Sequence, residues 1–493
     1  MSVVSFEFLG FLAALAVVYY VLPMRVRKWA LLAGSAAFWL LCGWQGAAYL
    51  MAETLLIWGC ARLIGRFSER RGVCRALLVG GMVTVFGAMV LMKALAQLQA
   101  LPDGLLVPIG LSYFTFQSVG YLIDVYRGKI TPEKNYAKVL LFAGFFPQMT
   151  QGPITTWKQL MPQLDSPHRL SPNGFVSGVF LMAWGFFKKL VIADRLMPAV
   201  SMLVATAQEL PGWLVLATAA MYAIVLYADF SGGIDITRGV ARMFGIDMAE
   251  NFRRPIFAMS LTEYWRRWHI TLGAWMRDYV FYPLSLSKTF GKLSRWARTH
   301  IKGTGGKIFA TSLATFIVYL IIGIWHGANF RYIAFGLWNG VLITASLLLE
   351  RTFLRWKSAL HINDKSAAWR VFMTLRTMLL VFIGRYFTRS PRLSCVFRFL
   401  KTTVLHPQPS QLFDGTLLSF GLAKTDFLVI ALGLAVLLTL ECFQERGVQI
   451  RAALEKKSGF VQWLTVTALL LAVLLLGVFR AGYIPSGFIY TQF

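Results

Sequence analysis

Two histidines set in apolar sequence are the side chains here best suited to chemistry. His326 lies in Gly323-Ile324-Trp325-His326-Gly327-Ala328, near the end of an uncharged run over 308–330. That run is long enough to cross a bilayer. An ionisable side chain in such a run is expensive to bury and marks a functional site by default. Imidazole is also the side chain best poised to take and return a proton near neutral pH. A histidine merely satisfied by a neighbouring helix is the competing reading. It is the weaker one, because Gly323 and Gly327 let a second backbone or a slim ligand come close. His269 lies in Glu263-Tyr264-Trp265-Arg266-Arg267-Trp268-His269-Ile270. If this stretch is helical, Trp265 and His269 share one face and Arg266 points elsewhere. The segment then reads either as a donor-binding or catalytic helix at the cytoplasmic boundary or as an interfacial anchor, since Trp and Arg favour that depth.

Three further segments carry polar groups within apolar sequence. Tyr227-Ala228-Asp229-Phe230-Ser231-Gly232-Gly233-Ile234-Asp235 ends an apolar run with two carboxylates. Asp229 suits the orientation of an imidazole or a hydroxyl, but a structural role such as helix capping is the preferred reading. The segments 107–117, with Ser112 and Tyr113, and 145–154, with Gln151, mix Pro, Gly, hydroxyls and amides. Both suit non-helical turns lining an internal passage, or simple kinks. No phosphate-binding loop, dinucleotide fingerprint or Gly-x-Ser-x-Gly elbow is present, which argues against an ATP-driven pump and a Ser-His-Asp hydrolase.

The elements that must position these groups are membrane helices. The chain has 493 residues, of which 57% are hydrophobic and only 14% charged; a soluble domain carries about a quarter charged residues. The apolar runs are continuous and not alternating, which disfavours a β-barrel. They predict an all-α polytopic protein with about eleven spanning helices, plus re-entrant and interfacial helices. We read 1–493 as one integral-membrane domain. The region 242–307, rich in Arg, Lys and Trp, has no clean spanning run and is expected to be interfacial or re-entrant. Such backbone is tolerated at membrane depth where protein buries it or where it lines a cavity.

The formal net charge is +27. The basic residues cluster in short loops, so they read as cytoplasmic loops facing anionic headgroups and not as a nucleic-acid surface. Arg25, Arg27 and Lys28 mark one such loop, Arg66, Arg70, Arg71 and Arg75 the next, and Arg127, Lys129, Lys134 and Lys138 a third. Alternation then places the N-terminus and the tail 483–493 on the outer face. Arg385, Arg389, Arg392, Arg398 and Lys401 break the pattern: if 367–383 spans outward, these five fall outside, unless the segment is an interfacial helix. The five cysteines are odd in number and lack Cys-x-x-Cys spacing, so neither a disulfide framework nor a metal site follows. The first apolar run, over 6–22, lacks a basic stretch before it and contains Glu7, so it reads as a retained helix.

Several of these segments together resemble the membrane-bound O-acyltransferases, and most closely the bacterial branch that O-acetylates exported polysaccharides. They are Trp265-Arg266-Arg267-Trp268-His269, Trp325-His326-Gly327, Asp229-Phe230-Ser231-Gly232, Pro108-Ile109-Gly110-Leu111-Ser112-Tyr113 and Gln151-Gly152-Pro153-Ile154. The resemblance implies a central tunnel joining the two membrane faces, His326 as the catalytic histidine and His269 as the second functional one. It also implies substrate contacts at Trp325, Trp265, Arg266, Arg267, Asp229, Ser112, Tyr113 and Gln151. The terminal Phe488-Ile489-Tyr490-Thr491-Gln492-Phe493 is similar to an aromatic C-terminal motif of the family, with Thr491 where an aromatic is usual, and suggests Tyr490 as an acyl relay.

The expected activity is transfer of an acetyl group from a cytoplasmic thioester, acetyl-CoA or another acyl thioester, to a cell-envelope polysaccharide such as alginate or peptidoglycan. The resemblance further implies an extracytoplasmic partner of the SGNH-hydrolase type and a place in the bacterial inner membrane. D-alanyl transfer to teichoic acid from a carrier protein is the second reading. A solute transporter is the third, since transporters also set ionisable groups around broken helices, although no internal repeat relates two halves.

Overall fold

The computed structural model describes residues 1–102, 106–166, 168–207, 209–327, 329–478 and 487–488. Among them there is no strand, only one isolated antiparallel bridge between Phe252 and Trp268. Among the described residues nine helices are long and apolar enough to cross a membrane, so this is a multi-pass membrane protein. The expected count of about eleven is not confirmed. Phe6–Val21, Arg27–Cys42 and Leu111–Tyr126 are helices of 16 residues each. At 1.5 Å per residue each covers about 24 Å, short of the roughly 30 Å hydrocarbon core.

The chain divides into two compact units, one of residues 1–196, 225–250 and 425–493, the other of 197–224 and 251–424. At the centre of the first lies Leu111–Tyr126, where every residue from Leu111 to Val125 is buried. A helix buried on all sides, here with Ser112, Thr115, Gln117, Ser118 and Asp124 among its buried residues, is surrounded by protein and has no solvent face. Its start is fixed by Gly110, whose φ of +77° suits glycine and whose missing side chain leaves room for the Met149 carbonyl. The neighbouring run breaks at Phe145 into Tyr136–Gly144 and Phe146–Met149. Of the two segments expected to suit non-helical turns or kinks, 107–117 is helical from Leu111 and 145–154 is helical over Phe146–Met149, so non-helical backbone is confined to 107–110, 145 and 150–154. The long span Pro172–Thr206 starts on a Ser171 cap with Pro172 at its first position. It widens into a π-helical turn over Phe187–Ala193.

The second unit is built on two antiparallel helices, Thr304–His326 and Phe330–Leu348. They cross at paired glycines: a Cβ on Gly323 would stand 2.6 Å from the Tyr332 carbonyl, and one on Gly336 2.6 Å from the Tyr319 carbonyl. This is the close backbone approach expected of Gly323. The span Ala367–Arg389 packs against Phe330–Leu348 and is followed by a separate helix, Leu393–Leu405. The five anomalous basic residues are thus split between the end of a span and a short helix that follows it. In the region 242–307 one span, Gly212–Met243, ends and another, Gly305–His326, begins, and no helix between them qualifies as a span among the described residues. The helix Lys288–His300 buries Phe290 and Ala297 while Lys288, Lys292, Arg295 and Arg298 are exposed, an amphipathic pattern.

Candidate active site

His269 does not continue a helix, contrary to the expectation that Trp265 and His269 share one helical face. The helix Leu261–Arg267 starts on a Ser260 cap and stops at Arg267. Trp268 is extended and bridges to Phe252, and His269 adopts φ +46°, ψ +52°. The strand-like pairing of 252 with 268 pulls the chain out of the helix, and the left-handed turn at His269 sends its ring inward. It is 3% exposed. A non-glycine residue in that region is uncommon and is often found at a functional site.

Asn251 fixes the His269 ring. The Asn251 Oδ1 accepts from the Thr271 backbone N–H at 2.9 Å and from the Thr271 hydroxyl at 3.0 Å. A backbone N–H only donates, so the side-chain oxygen must face it. His269 Nδ1, 3.2 Å from the same oxygen, is therefore the protonated nitrogen, and Nε2 carries the lone pair. Burial pushes the imidazole down to about 3, so it is neutral at physiological pH.

One indole stands between the two imidazoles. The Trp325 ring lies 6.2 Å from His269 and 4.6 Å from His326. His326 closes the helix Thr304–His326, stacks on Tyr332 at 6.1 Å and meets the edge of Phe335 at 6.0 Å. Unlike His269 it is half-buried, hence reachable by a reactant. Trp265 packs against Phe335 at 6.2 Å and donates from Nε1 to Asn339 Oδ1 at 3.1 Å, and Asn339 donates in turn to the Phe335 carbonyl. The second unit thus brings together His269, Trp325, His326 and Trp265. Arg266 is exposed beside them. Arg267 is engaged by Glu263 at 2.7 Å and by the Arg254 carbonyl, a structural tie.

The remaining expected residues belong to the first unit. Asp229 sits inside Gly212–Met243, not at a helix start, so it caps nothing. Its carboxylate takes Lys189 Nζ at 2.6 Å, while Asp194 takes the same ammonium at 2.8 Å. Lys188, one residue earlier on the π-helical turn, pairs with Asp235 at 2.7 Å and donates to Ser231. The ring of Phe488 lies over Lys189 at 4.7 Å. Ser112 and Tyr113 are buried in the first turn of Leu111–Tyr126. Gln151 is wholly buried against Gly233, where any larger residue would fall on its amide. Tyr490 lies outside the described residues. No group of three His, Cys, Asp or Glu among the described residues could hold a metal ion.

Residues 126–383 match the model of the MBOAT, membrane-bound O-acyltransferase family. The chain belongs to this family. It is 36% identical over 300 residues, 60% of this chain and 51% of the relative, to a probable alginate O-acetylase of Pseudomonas aeruginosa. It is 28% identical over 327 residues, 61% and 57% of the two chains, to a peptidoglycan O-acetyltransferase of Helicobacter pylori. It is also 27% identical over 293 residues, 56% and 67%, to a teichoic acid D-alanyltransferase of Streptococcus thermophilus. The chain spans about half the length of the alginate relatives it matches. Both histidines and the indole between them fall within the family-matched segment.

Sequence reasoning missed Asn251, whose side chain is wholly buried beneath His269. It lies 18 positions away in sequence, and only the Phe252–Trp268 bridge brings it there. It also missed Lys189, the partner of Asp229, because a lysine inside an apolar run signals burial without naming a partner.

Proposed function

We propose that this chain is an O-acyltransferase that moves an acetyl group from a cytoplasmic thioester, acetyl-CoA, across the bacterial inner membrane for O-acetylation of an exported cell-envelope polysaccharide. The observation that carries the reading is the run of rings His269–Trp325–His326, in which a sealed neutral imidazole and a reachable one flank a single indole. Family membership and the activities named for the alginate and peptidoglycan relatives support the same chemistry.

In this mechanism His326 takes the proton of the attacking hydroxyl as general base. The hydroxyl oxygen forms a bond to the thioester carbonyl carbon, the C–S bond breaks, and the proton passes from His326 to the departing thiolate. The products are an ester and CoA thiol, and no nucleotide is consumed. His269, held neutral, acts through the Trp325 ring it packs against, which stands next to His326. Arg266 and the exposed Lys288, Lys292, Arg295 and Arg298 attract the donor's phosphates. Trp265 and Trp325 contact the acyl group beside His326, and Ser112, Tyr113 and Gln151 are substrate contacts of the first unit. The attacker is Tyr490, on the outer face with both chain termini. A phenol near pKa 10 ionises more readily than a sugar hydroxyl and gives a more reactive ester. An SGNH-type partner then passes the group to the polymer.

The test is polymer acetylation by mass spectrometry with His326→Ala and Tyr490→Phe. His326→Ala is expected to lower transfer by about 10²–10⁴-fold with the protein still inserted; near-normal acetylation would remove His326 from the chemistry. Retained transfer with Tyr490→Phe means direct delivery without the relay. The likeness to the teichoic acid relative favours D-alanyl transfer as the second reading, and the mass added to the polymer, acetyl or alanyl, decides between them.

A further inference from the structure

A cavity of about 250 Å³ opens in the first unit at the turn between its first two helices. Phe6–Val21 and Arg27–Cys42 are joined there through the short helical turn Met24–Val26. Arg25, Arg27, Lys28, Asp165, Ser166 and His168 supply the polar lining, and Tyr19, Met24, Leu31 and Leu164 the apolar lining. The segments around it are tied to one another. Each nitrogen of the Arg27 guanidinium donates to a carbonyl: Nε to Leu22 at 3.0 Å, Nη2 to Tyr20 at 2.9 Å and Nη1 to His168. The Tyr19 and Tyr20 hydroxyls donate to the Phe244 and Met243 carbonyls. His168 Nε2 donates to the Gln163 carbonyl at 2.6 Å, and the His168 ring lies so close to Gly245 that a Cβ there would stand 2.8 Å away. The walls are thus fixed by bonds of the chain to itself, and a ligand would not have to order them.

The charge of this lining is not balanced. Arg25 is exposed and pairs with no group among the described residues. Arg27 meets only carbonyls and the rings of Tyr19 and Tyr20, at 5.4 Å and 5.3 Å. The one carboxylate in the lining, Asp165, lies 2.8 Å from Lys28 and 2.8 Å from Lys138, so two ammoniums already share it. A guanidinium with no carboxylate is a ready partner for phosphate. Size and surroundings narrow the choice. The volume is below the roughly 300–1,000 Å³ of pockets that enclose a whole drug-sized ligand or cofactor. It is about eight times the share of one water in the liquid, room for a phosphate and the glycerol carbons attached to it. Val21, Met24 and Val26 are exposed at the same turn, so a ligand held there can continue into hydrocarbon. Lys28 and Lys138 come from two of the basic loops that the sequence sets on the cytoplasmic face, and their common hold on Asp165 brings those loops together.

We infer that this cavity is a specific site for the phosphate of an anionic glycerophospholipid of the cytoplasmic leaflet, with Arg25, Arg27 and Lys28 as its cations. Basic pockets between membrane helices on that side are where anionic headgroups bind. The apolar lining takes the glycerol carbons. A zwitterionic lipid is disfavoured, because its second, cationic group would face the unpaired Arg25. A soluble phosphate such as that of coenzyme A offers the same oxygens but leaves the apolar lining unused. The bound lipid joins the first two helices to the segments 163–168 and 243–245 and so stabilises the first unit. It takes no part in acyl transfer, and the inference stands apart from the reading of His326.

The test is native mass spectrometry of the delipidated full chain in detergent, titrated with phosphatidylglycerol, phosphatidylcholine or coenzyme A. The expected result is one phosphatidylglycerol held per chain at concentrations where phosphatidylcholine is not retained, with a rise in the unfolding temperature that phosphatidylcholine does not give. Arg25→Gln breaks no internal bond and should weaken that binding about fivefold. Arg71→Gln is the control: Arg71 is exposed on the neighbouring basic loop but does not line the cavity, so its loss should leave the affinity unchanged. His326→Ala should also keep the lipid, which separates this site from the catalytic reading. Equal retention of the two lipids, the same affinity in Arg25→Gln as in the unaltered chain, or an equal loss in Arg71→Gln would each overturn the site. Displacement of phosphatidylglycerol by coenzyme A at equal concentration would overturn the lipid as its ligand.

Discussion

Lys189 and Arg385 are both almost wholly buried cations, one in each compact unit, and their surroundings differ in kind. Lys189 sits between two carboxylates, Asp229 and Asp194, on a π-helical turn whose other lysine is paired as well. Arg385 lies on aromatic faces and bonds a phenol, with no carboxylate beside it among the described residues. An ammonium is a compact, strongly hydrated charge and needs anionic partners when water is removed. A guanidinium is more weakly hydrated and is at home on aromatic rings. The first arrangement completes itself inside the protein and holds helices together. The second rests on ring faces and one phenol, and it lies in the unit that holds both histidines.

The largest expected effect separates these two cases. Lys189→Met leaves Asp229 and Asp194 buried without their common cation and should destabilise the protein by about 3–5 kcal/mol, read as the loss of thermal or denaturant stability in detergent. Adding Asp229→Asn and Asp194→Asn to the same variant should restore much of it. Arg385→Met should cost clearly less, since it strands no carboxylate. Equal losses at the two positions would erase the distinction.

Next is Asn251→Ala, which removes the oxygen that sets the His269 tautomer. Transfer should fall about tenfold to a hundredfold, mainly in kcat, because misplacing a reacting group costs rate more than binding. A changed KM with kcat intact would make Asn251 a packing residue only.

The pH response is smaller and has a defined sign. Burial lowers the His269 imidazole from 6.5 to about 3. The unfolded chain therefore binds this proton before the folded one does, and the stability contributed by the neutral ring is present above about 6.5 and lost as pH falls toward 3. Unfolding measured from pH 7 to 5 should show falling stability in the wild type and a flatter profile in His269→Gln.

How much of this the sequence showed depends on the range of the interaction. His326 at the end of an uncharged run and the close approach at Gly323 were visible because spans and helix crossings are written in local composition. For the same reason the sequence of 242–307 gives no complete span, although two spans reach into its ends. The expected count of about eleven spans is not confirmed, because three helices of 16 residues fall short of a full crossing and hydropathy does not give a helix's length. The turn at His269 was hidden because the helical spacing of Trp265 and His269 is broken by Phe252, a residue far upstream. The arginines at 385 and 389 did leave a signal, as a break in the alternation of basic loops, but that signal names no ligand.

The smallest effect tests whether the aromatic scaffold beside His326 acts as one piece. Trp265→Phe keeps the ring packing on Phe335 but removes the indole N–H from Asn339, a residue 4% exposed. Stability should drop by about 1 kcal/mol, the usual cost of leaving a buried acceptor unmet. Asn339 also donates to the Phe335 carbonyl, and Phe335 forms one wall of the His326 ring. If the wall is held by this chain of bonds, Trp265→Phe lowers kcat a few-fold as well, and Trp265→Phe with Asn339→Leu does not deepen the loss. If the two changes add, Trp265 and Asn339 support the site separately. The second unit would then position His326 by packing of its paired helices at Gly323 and Gly336, not by the hydrogen bonds around Asn339.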